Sequence, residues 1–470
     1  MALRELTRHP ISMVGAAMAM VAGILIVALT IMMALDVGGG PYTGILAYMI
    51  MPAFFIGGLL LMPFGAWLQR RREARAKAGG EAVPLLPVFD LNDAHTRSRL
   101  LIFSALTALN LVIVGLAGYG GITFMESSQF CGSCHKVMDP EHDAHEASSH
   151  SRVECVGCHI GPGATWFVKS KLSGAWQVVS VTFNLYSRPI PTPVHALRPA
   201  RGTCENCHLP ARFVGDRLQV RGHFESDEAN TPLKTVLNLR VGGHGGTGLS
   251  GIHWHVGQGV EVRYQADPTR QKIFDVELRS PDGTKKLFKS KEAAPAGTEW
   301  RVVDCIDCHN RPGHPFHLPE KGLDEALEAQ QIDRSLPFAR RESLRLLNAA
   351  TVRHEDAVKH FTSELHAFYA KTYPDLDKSK GAAIDKAGAA LAEIYKLNVW
   401  PTMNIKWGSY PNNVGHPHRD DPRESPGCWR CHDEAHTDAS GKTISQDCTL
   451  CHEVLADNEK APAILKTLRP

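Results

Sequence analysis

The sequence predicts a membrane-anchored protein whose N-terminal helices cross a bilayer and whose remainder is built around short cysteine motifs. Two observations predict this class. The long apolar stretches all lie in the first 125 of 470 residues, and all 12 cysteines belong to one repeated motif. The hydrophobic fraction of 43 % is therefore an average over two unlike parts of the chain, which is long enough to hold several domains.

Three N-terminal stretches lack Asp, Glu, Lys and Arg, and each exceeds the ~20 residues that a helix needs to cross hydrocarbon. They cover residues 11–35, 42–68 and 100–125. A cleaved signal peptide is the alternative for the first stretch. That stretch is long, however, lacks a small-x-small cleavage site and is followed at once by the second. We therefore expect three retained transmembrane α-helices.

One motif, Cys-x-x-Cys-His, occurs six times in the chain. Its two thiols form thioethers with the vinyl groups of a haem, and the adjacent histidine ligates the iron. Paired cysteines also build zinc sites, but the histidine after every pair favours haem. The motif residues are Cys131, Cys134, His135; Cys155, Cys158, His159; Cys204, Cys207, His208; Cys305, Cys308, His309; Cys428, Cys431, His432; and Cys448, Cys451, His452. The fold class is therefore a membrane-anchored multihaem cytochrome with six covalently bound c-type haems.

The charges that flank the apolar stretches predict the topology. Arg4 and Arg8 precede the first stretch, five basic residues lie between positions 70 and 77, and the loop between the first two stretches has no Lys or Arg. Such basic flanks stay in the cytoplasm. Everything after Met125 is then expected in the periplasm of a bacterium, where c-type haems are attached and thiols need not stay reduced. The net charge of +2 gives no reason to expect a nucleic-acid partner.

Composition divides the part after the membrane helices. Residues 126–210 carry three motifs and almost no periodic pattern, as expected where side chains pack on porphyrins in a haem-packed core of low secondary structure. Alternation at Val260, Val262 and Tyr264 predicts a small β insertion, and apolar residues at helical spacing predict a helical C-terminal region. The predicted segments are a membrane domain (1–125), a haem domain (126–210), a β-rich insertion (211–300), a fourth haem segment (301–320), a helical segment (321–400) and a dihaem segment (401–470).

Each iron needs a second axial ligand, and 18 of the 24 histidines lie outside the motifs. The candidates lie near a motif or in short polar or Gly/Pro-bounded stretches: His150, His253, His255, His314, His416, His418 and His436. In the sequence His253-Trp254-His255, one histidine is expected to ligate and the other to support it. Five further histidines are expected to be solvated at the surface: His142, His145, His354, His360 and His366.

The first motif begins just after the third apolar stretch, so its haem is expected at the membrane surface. Met138 follows His135 by three residues. A thioether ligand raises the potential of a haem, although packing of Met138 against the ring is an alternative. A haem in this position can meet a lipid-soluble electron carrier such as a quinone.

The segment between Phe130 and Pro210 contains the peptides FCGSCHKVM, SSHSRVECVGCH, WFVKSKLSG, RPIPTP and LRPARGTCENCH, and CIDCHNRPGH lies further on. These peptides resemble the NapC/NirT family of membrane-anchored multihaem quinol dehydrogenases, and CIDCHNRPGH resembles the family's fourth motif. The resemblance implies a tetrahaem core that takes electrons from menaquinol or ubiquinol and passes them to periplasmic cytochromes or reductases. It also implies that Met138 lies near the first haem, that Lys169 or Lys171 belongs to the quinol site, and that His314 is a distal ligand.

The chain departs from this family in three respects. It has three apolar stretches where the family usually has one and six motifs where the family has four or five. The family's quinol-site acid is not evident, because the matching residues 173–179 contain no acid and Gln177 is the nearest polar group. The additional helices and the last pair of motifs are more similar to the enlarged inner-membrane cytochromes of metal-respiring bacteria.

Quinol oxidation releases two protons and two electrons, so a quinol site needs a proton acceptor, a hydrogen-bond donor and a nearby iron. Lys169 and Lys171 are candidates for the polar group, and snorkelling of these lysines to lipid phosphate is the alternative. The last two motifs are the expected exit haems in anaerobic or extracellular respiration. Two other functions stay open: a haem-bearing scaffold subunit that binds membrane partners through its helices, and a haem oxyanion reductase, which needs one iron with an open position.

Overall fold

The computed structural model describes residues 9–34, 47, 50–77, 91–133, 137–160, 164–194, 199–208, 215–242, 251–417 and 421–467. The chain divides into two compact units, Met1–Met138 and Asp139–Pro470. Long helices dominate the first unit, whereas the second combines helices with two small sheets.

Long helices lie where the three apolar stretches were predicted. They are α1 (Pro10–Ala34), α2 (Met51–Lys77) and α3 (Ala94–Glu126), followed by the short α4 (Ser128–Ser133). Among the described residues, two segments are long and apolar enough to cross a membrane, Pro10–Ile31 and Met51–Arg71. The predicted stretch 42–68 overlaps α2 from Met51 onward, and its residues 42–46, 48 and 49 lie outside the described part. The third crossing, by the 33-residue helix α3, stays a prediction.

Helices α1 and α2 pack with their backbones in close approach. A Cβ atom added at Gly58 would lie 2.6 Å from the carbonyl oxygen of Gly15, and one added at Gly15 would lie 2.7 Å from that of Gly58. The Ser12 hydroxyl also donates a 2.9 Å hydrogen bond to the Met62 carbonyl. Small residues permit this approach, which is how helices associate in lipid, where no hydrophobic effect drives them together.

Gly58→Leu is therefore expected to separate α1 from α2. The added side chain has no space against Gly15, and overpacking of this kind costs about 1–3 kcal/mol or more. Thermal unfolding of the protein in detergent, followed by helical circular dichroism, should show a lower midpoint. Gly57→Leu is the matched control because no atom lies within 4 Å of a Cβ at that position. Equal midpoints for the two variants would contradict this packing.

The second unit begins with short helices and continues with a larger helical group. Near the first three of its motifs lie the longer α7 (Ala164–Thr182) and four short helices, α5 (Asp139–Glu146), α6 (Cys155–His159), α8 (Arg201–Cys204) and α9 (Cys305–Cys308). The helices that follow are α10 (Pro319–Glu328), α11 (Ala339–Ala349), α12 (His354–Thr372), α13 (Pro374–Ser379), α14 (Gly381–Asn398) and α15 (Ile464–Thr467).

The prediction of almost no periodic secondary structure in residues 126–210 is wrong for α7, a helix of 19 residues. Three of its described large apolar side chains are exposed: Leu172 is 70 % exposed, Trp176 62 % and Val179 41 %. These positions are four and three residues apart and therefore share one face of the helix. The reading by composition missed the helix because the basic and small residues between them interrupt the apolar pattern.

The strands form two antiparallel sheets. One has the order β1-β2-β7 and the other the order β5-β4-β3-β6. The strands are β1 (Arg217–Phe224), β2 (Pro232–Leu239), β3 (Glu261–Ala266), β4 (Ile273–Arg279), β5 (Lys285–Lys289), β6 (Arg301–Val302) and β7 (His452–Glu459). In β3, Val262 and Tyr264 are buried, as their alternation predicts. The strand β7 starts at the sixth motif and pairs with β2, so the first sheet joins residues of the predicted insertion to the C-terminal segment. A hairpin of β1 and β2 alone would be marginally stable.

The helical group has one hydrophobic core. In α12, Ala357, Phe361, Leu365 and Tyr369 are buried, and their four-residue spacing places them on the face that packs on α14. The end of α14 also fixes the segment that follows the fourth motif. The side-chain carbonyl of Asn398 accepts a 2.7 Å hydrogen bond from the backbone of His317.

Candidate haem centres

The described motif residues lie on single helical turns. The second and fourth motifs begin α6 and α9, whereas the third begins at the last residue of α8, Cys204, and continues in a turn. The first cysteines of the fifth and sixth motifs lie on the 3-10 turns Gly427–Arg430 and Cys448–Leu450. Residues three apart on such a turn face the same side, as two thioether bonds to one porphyrin require. None of the described cysteines forms a disulfide bond. Cys134 and His135 of the first motif lie outside the described residues.

Each of the five motif histidines that the structure describes faces a second imidazole. The distances between ring centroids are 6.2 Å for His159 and His314, 6.0 Å for His208 and His150, 6.3 Å for His309 and His253, 5.9 Å for His432 and His255, and 6.1 Å for His452 and His416. The five partners come from five different positions outside the motifs.

The spacing of these pairs fits one metal ion between two imidazoles. A bond from a metal to an imidazole nitrogen is about 2 Å, and that nitrogen lies about 1 Å from its ring centroid, so two ligands on one metal have centroids about 6 Å apart. Direct packing of two imidazoles would bring them closer, as the 4.6 Å between the rings of Trp254 and His255 shows. The residues present therefore fit a haem iron with two histidine ligands.

Hydrogen bonds orient all five partner histidines in the same way. In each, Nδ1 lies close to an acceptor, and donation from a protonated Nδ1 would leave the Nε2 lone pair for a metal. The distances are 3.0 Å from His150 to the Pro312 carbonyl, 3.2 Å from His253 to that of Val241, 2.7 Å from His255 to that of Ile252, 3.1 Å from His416 to that of Pro417, and 2.9 Å from His314 to the Glu141 carboxylate.

The acceptor of His314 differs from the others because it carries a charge. Glu141 also lies 3.2 Å from Arg311, whose guanidinium is 3.8 Å from the Tyr410 ring centroid. Burial alone would raise the pKa of Glu141, but the hydrogen bond with His314 and the charge of Arg311 outweigh it and lower the pKa. His314, the partner of His159 in the second motif, is therefore hydrogen-bonded to a carboxylate. Sequence reasoning missed Glu141, which no local pattern distinguishes from a surface acid.

The second, third and fourth motifs are neighbours in space. Burial raises the pKa of the Cys158 thiol, and the nearby Cys204 sulfur of the third motif adds to the effect. Cys204 in turn shares a hydrogen bond with Cys305 of the fourth motif. The carboxylate of Asp304 accepts a 2.8 Å hydrogen bond from the backbone of Ala200, which joins α9 to the start of α8.

The fourth, fifth and sixth motifs are also neighbours in space. Arg430, between the two cysteines of the fifth motif, donates a hydrogen bond to the carbonyl of Asp307, between the cysteines of the fourth. The ring of His416 stacks on Trp429 of the fifth motif at 4.6 Å and also faces His452 of the sixth. Each of these five attachment sites is thus linked by contacts to the next one in the sequence.

The other predicted ligands occupy different surroundings. Met138 is half-buried in the first unit, and His418 lies outside the described residues. His436 is buried, with Nδ1 2.8 Å from Asp433 and with Nε2 lacking a hydrogen-bond partner among the described residues. It does not belong to any of the five pairs.

Two of the histidines that were expected to be solvated are structural. His145 is buried, with Nε2 3.0 Å from the Val153 carbonyl, and His354 lies 2.7 Å from the Val399 carbonyl. Both are held by backbone oxygens that local sequence cannot reveal. His142, His360 and His366 are partly exposed.

The candidate quinol-site lysines lie on α7. Lys169 is exposed, with its Nζ 4.9 Å from the Trp166 ring centroid, and Lys171 is half-buried. One turn later Leu172 and Trp176 begin the exposed apolar face of this helix. Gln177, at the position where an acid was sought, lies 3.4 Å from the Ser173 hydroxyl. No Asp or Glu occurs between Cys155 and Cys204, so the surroundings of α7 in the sequence are entirely basic or neutral.

Comparison with known proteins gives two matches. The sequence profile of the NapC/NirT cytochrome c family, N-terminal region, matches residues 94–189, which hold α3, the first two motifs and α7. The cytochrome c-type protein ImcH of Geobacter sulfurreducens is 41 % identical over 457 residues, which cover 95 % of this chain and 88 % of that protein. No solved structure matches the chain.

Proposed function

Because the chain belongs to the NapC/NirT cytochrome c family, we propose that it is a hexahaem quinol dehydrogenase that passes electrons to periplasmic redox partners. Its family membership makes it a membrane-anchored multihaem c-type cytochrome of electron transport, and confirms the resemblance seen in its motifs. When bound, each haem supplies a one-electron redox centre. We infer further that the protein carries six haems, oxidises quinol at the periplasmic face of the inner membrane, and acts in anaerobic or extracellular respiration.

The five histidine pairs are the observation that carries this proposal. Two histidines would hold each iron, which would suit electron transfer, whereas reduction of an oxyanion needs an iron with an open position. Histidine pairs of this kind would leave an oxyanion no such position at the second to sixth motifs. They therefore favour a carrier of electrons over an oxyanion reductase at those five sites.

The spatial order of the motifs supports a direction for the electrons. Neighbouring attachment sites touch one another from the second motif to the sixth, through contacts such as Cys204 with Cys305 and Arg430 with Asp307. The first motif follows α3 directly in the sequence and so lies near a predicted membrane span. Electrons that enter near the membrane would leave from the fifth and sixth sites, where we place contact with periplasmic cytochromes or reductases.

The chemistry of α7 suits contact with a quinol. Its apolar face offers Leu172 and Trp176 to a lipid-soluble ring, while the ammonium groups of Lys169 and Lys171 can donate hydrogen bonds to the quinone oxygens. We propose that α7 binds the quinol head group.

Mass spectrometry of the mature protein tests the haem count. We expect the mass of the chain plus six haems with α1 retained, because all six motifs are intact and the first apolar stretch lacks a cleavage site. The variant Cys448→Ala/Cys451→Ala, which removes one motif, is the control and should carry five. Four haems in the unaltered protein, or loss of α1, would contradict the proposal.

A further inference from the structure

The 3-10 turn Ile252–Val256 carries two histidines that face two different motifs. His253 and the fourth-motif His309 have centroids 6.3 Å apart and ring planes 5° apart. His255 and the fifth-motif His432 have centroids 5.9 Å apart and ring planes 81° apart. Two residues of one turn thus meet two motifs that are far apart in the sequence.

The backbone fixes this turn in one place. The amides of Ile252 and His253 donate hydrogen bonds of 2.8 and 3.2 Å to the carbonyls of Arg240 and Val241, just beyond the end of β2. Gly251 precedes the turn with φ +79°, and a Cβ there would lie 2.6 Å from the Arg240 carbonyl oxygen. Only glycine fits that position. At the other end, Arg201 donates a hydrogen bond to the Val256 carbonyl, which joins the turn to α8 of the third motif.

The residue between the two histidines holds them apart. The Trp254 ring stacks on His255 at 4.6 Å and packs on the core of the second sheet, together with Cys431 of the fifth motif. His255 therefore has an indole on one side and an acceptor for its Nδ1 at Ile252. His253 has its own acceptor at Val241. Each imidazole is oriented separately, as two ligands of two metals require.

We propose that this turn supplies the distal ligands of two neighbouring haems, His253 for the haem at the fourth motif and His255 for the haem at the fifth. The inference rests on the proposed hexahaem function. It goes further because it identifies the element that joins the four motifs of the family-like region to the additional C-terminal pair. The hydrogen bond from Arg430 to the Asp307 carbonyl joins the same two motifs directly.

The two pairs differ in the angle between their imidazole planes, which affects the electron paramagnetic resonance spectrum of a haem. Near-parallel imidazoles give a low-spin ferric haem a rhombic electron paramagnetic resonance spectrum, whereas near-perpendicular imidazoles give a highly anisotropic spectrum with a large principal g value. The angle of 5° at His253 predicts the first kind, and the angle of 81° at His255 predicts the second.

The test compares alanine variants of the full-length protein in detergent. His255→Ala should lose one highly anisotropic low-spin signal and gain one high-spin haem. His253→Ala should lose one rhombic signal, gain one high-spin haem and keep the signal that His255→Ala removes. His366→Ala is the matched control, because His366 contacts Asp377 and Asp385 and is paired with none of the five described motif histidines; the spectrum of this variant should equal that of the unaltered protein.

A second substitution keeps the test decisive where an alanine variant does not assemble. His255→Met should keep six haems, stay low-spin, and raise the reduction potential of one haem, because a methionine thioether ligand raises that potential. If neither His255→Met nor His255→Ala changes the spectrum or a potential, the inference is wrong. That result, in a protein that carries six haems and is reduced by quinol, would leave the proposed function intact. Fewer than six haems in the unaltered protein would instead contradict the proposed function.

Discussion

Replacing Glu141 by Gln is expected to raise the reduction potential of one haem by on the order of 100 mV. The carboxylate holds His314, the partner of the second-motif His159, and its charge stabilises the oxidised iron. At roughly 7 Å and an effective dielectric constant of about 20, that charge is worth about 2.4 kcal/mol. A one-electron couple converts this energy to about 100 mV. Arg311, left without its anion, acts in the same direction.

A spectroelectrochemical titration of the haem absorption bands measures this shift. The variant should titrate with one step moved to higher potential and with all six haems still attached and low-spin. Glu146→Gln is the matched control, because Glu146 lies on the same helix α5 but is exposed. It removes the same charge, which solvent already screens, and should move no step. If both variants titrate like the unaltered protein, the role assigned to Glu141 is wrong.

Replacing both Lys169 and Lys171 by Ala is expected to slow reduction of the haems by a quinol analogue by about a hundredfold. Groups that donate or accept protons at a reacting oxygen contribute at least this much. Stopped-flow absorption after mixing with a quinol analogue measures the rate, and dithionite should still reduce every haem. A slow quinol reaction with a normal dithionite reaction would locate the defect at the quinol site rather than in the haems.

Arg188→Gln is the matched control for the lysine variant. Arg188 lies in the same acid-free segment but beyond the end of α7, where it contacts Asn184 and Tyr186. Its loss removes a positive charge without touching the proposed site, so the rate should stay that of the unaltered protein. Quinol reduction of the double lysine variant at the unaltered rate would mean that quinol is oxidised elsewhere, for instance among the membrane helices.

The sequence predicts those parts of the site that are local in the chain. The thiols and the motif histidine of each haem lie within five residues, so the motif alone identifies them. The partner of His432 is His255, far away in the sequence, and nothing local distinguishes His255 from His436, which is closer to that motif but hydrogen-bonds to Asp433. Pairs such as this depend on tertiary packing, here on the turn that Gly251 and Trp254 hold in place.

The fold likewise has elements that the local sequence predicts and elements that it does not. Alternation at Val262 and Tyr264 predicts β3, because a strand with one buried face repeats every two residues. The pairing of β7 with β2 escapes such reasoning, since it joins segments on either side of the helical group. The exposed apolar face of α7 is a third case. Leu172 and Trp176 are exposed, so the usual inference from apolar residues to a buried helix face does not predict this helix.

Reduction of the purified, full-length protein by a quinol analogue tests the central claim most directly. The absorption of the reduced haems is followed in detergent without any partner protein and compared with the change that dithionite then produces. The proposed function predicts rapid quinol-driven reduction of a large share of the haems, up to the limit set by their potentials. Absence of quinol-driven reduction, in a protein whose haems dithionite reduces completely, would contradict a quinol dehydrogenase and favour a haem-bearing scaffold subunit.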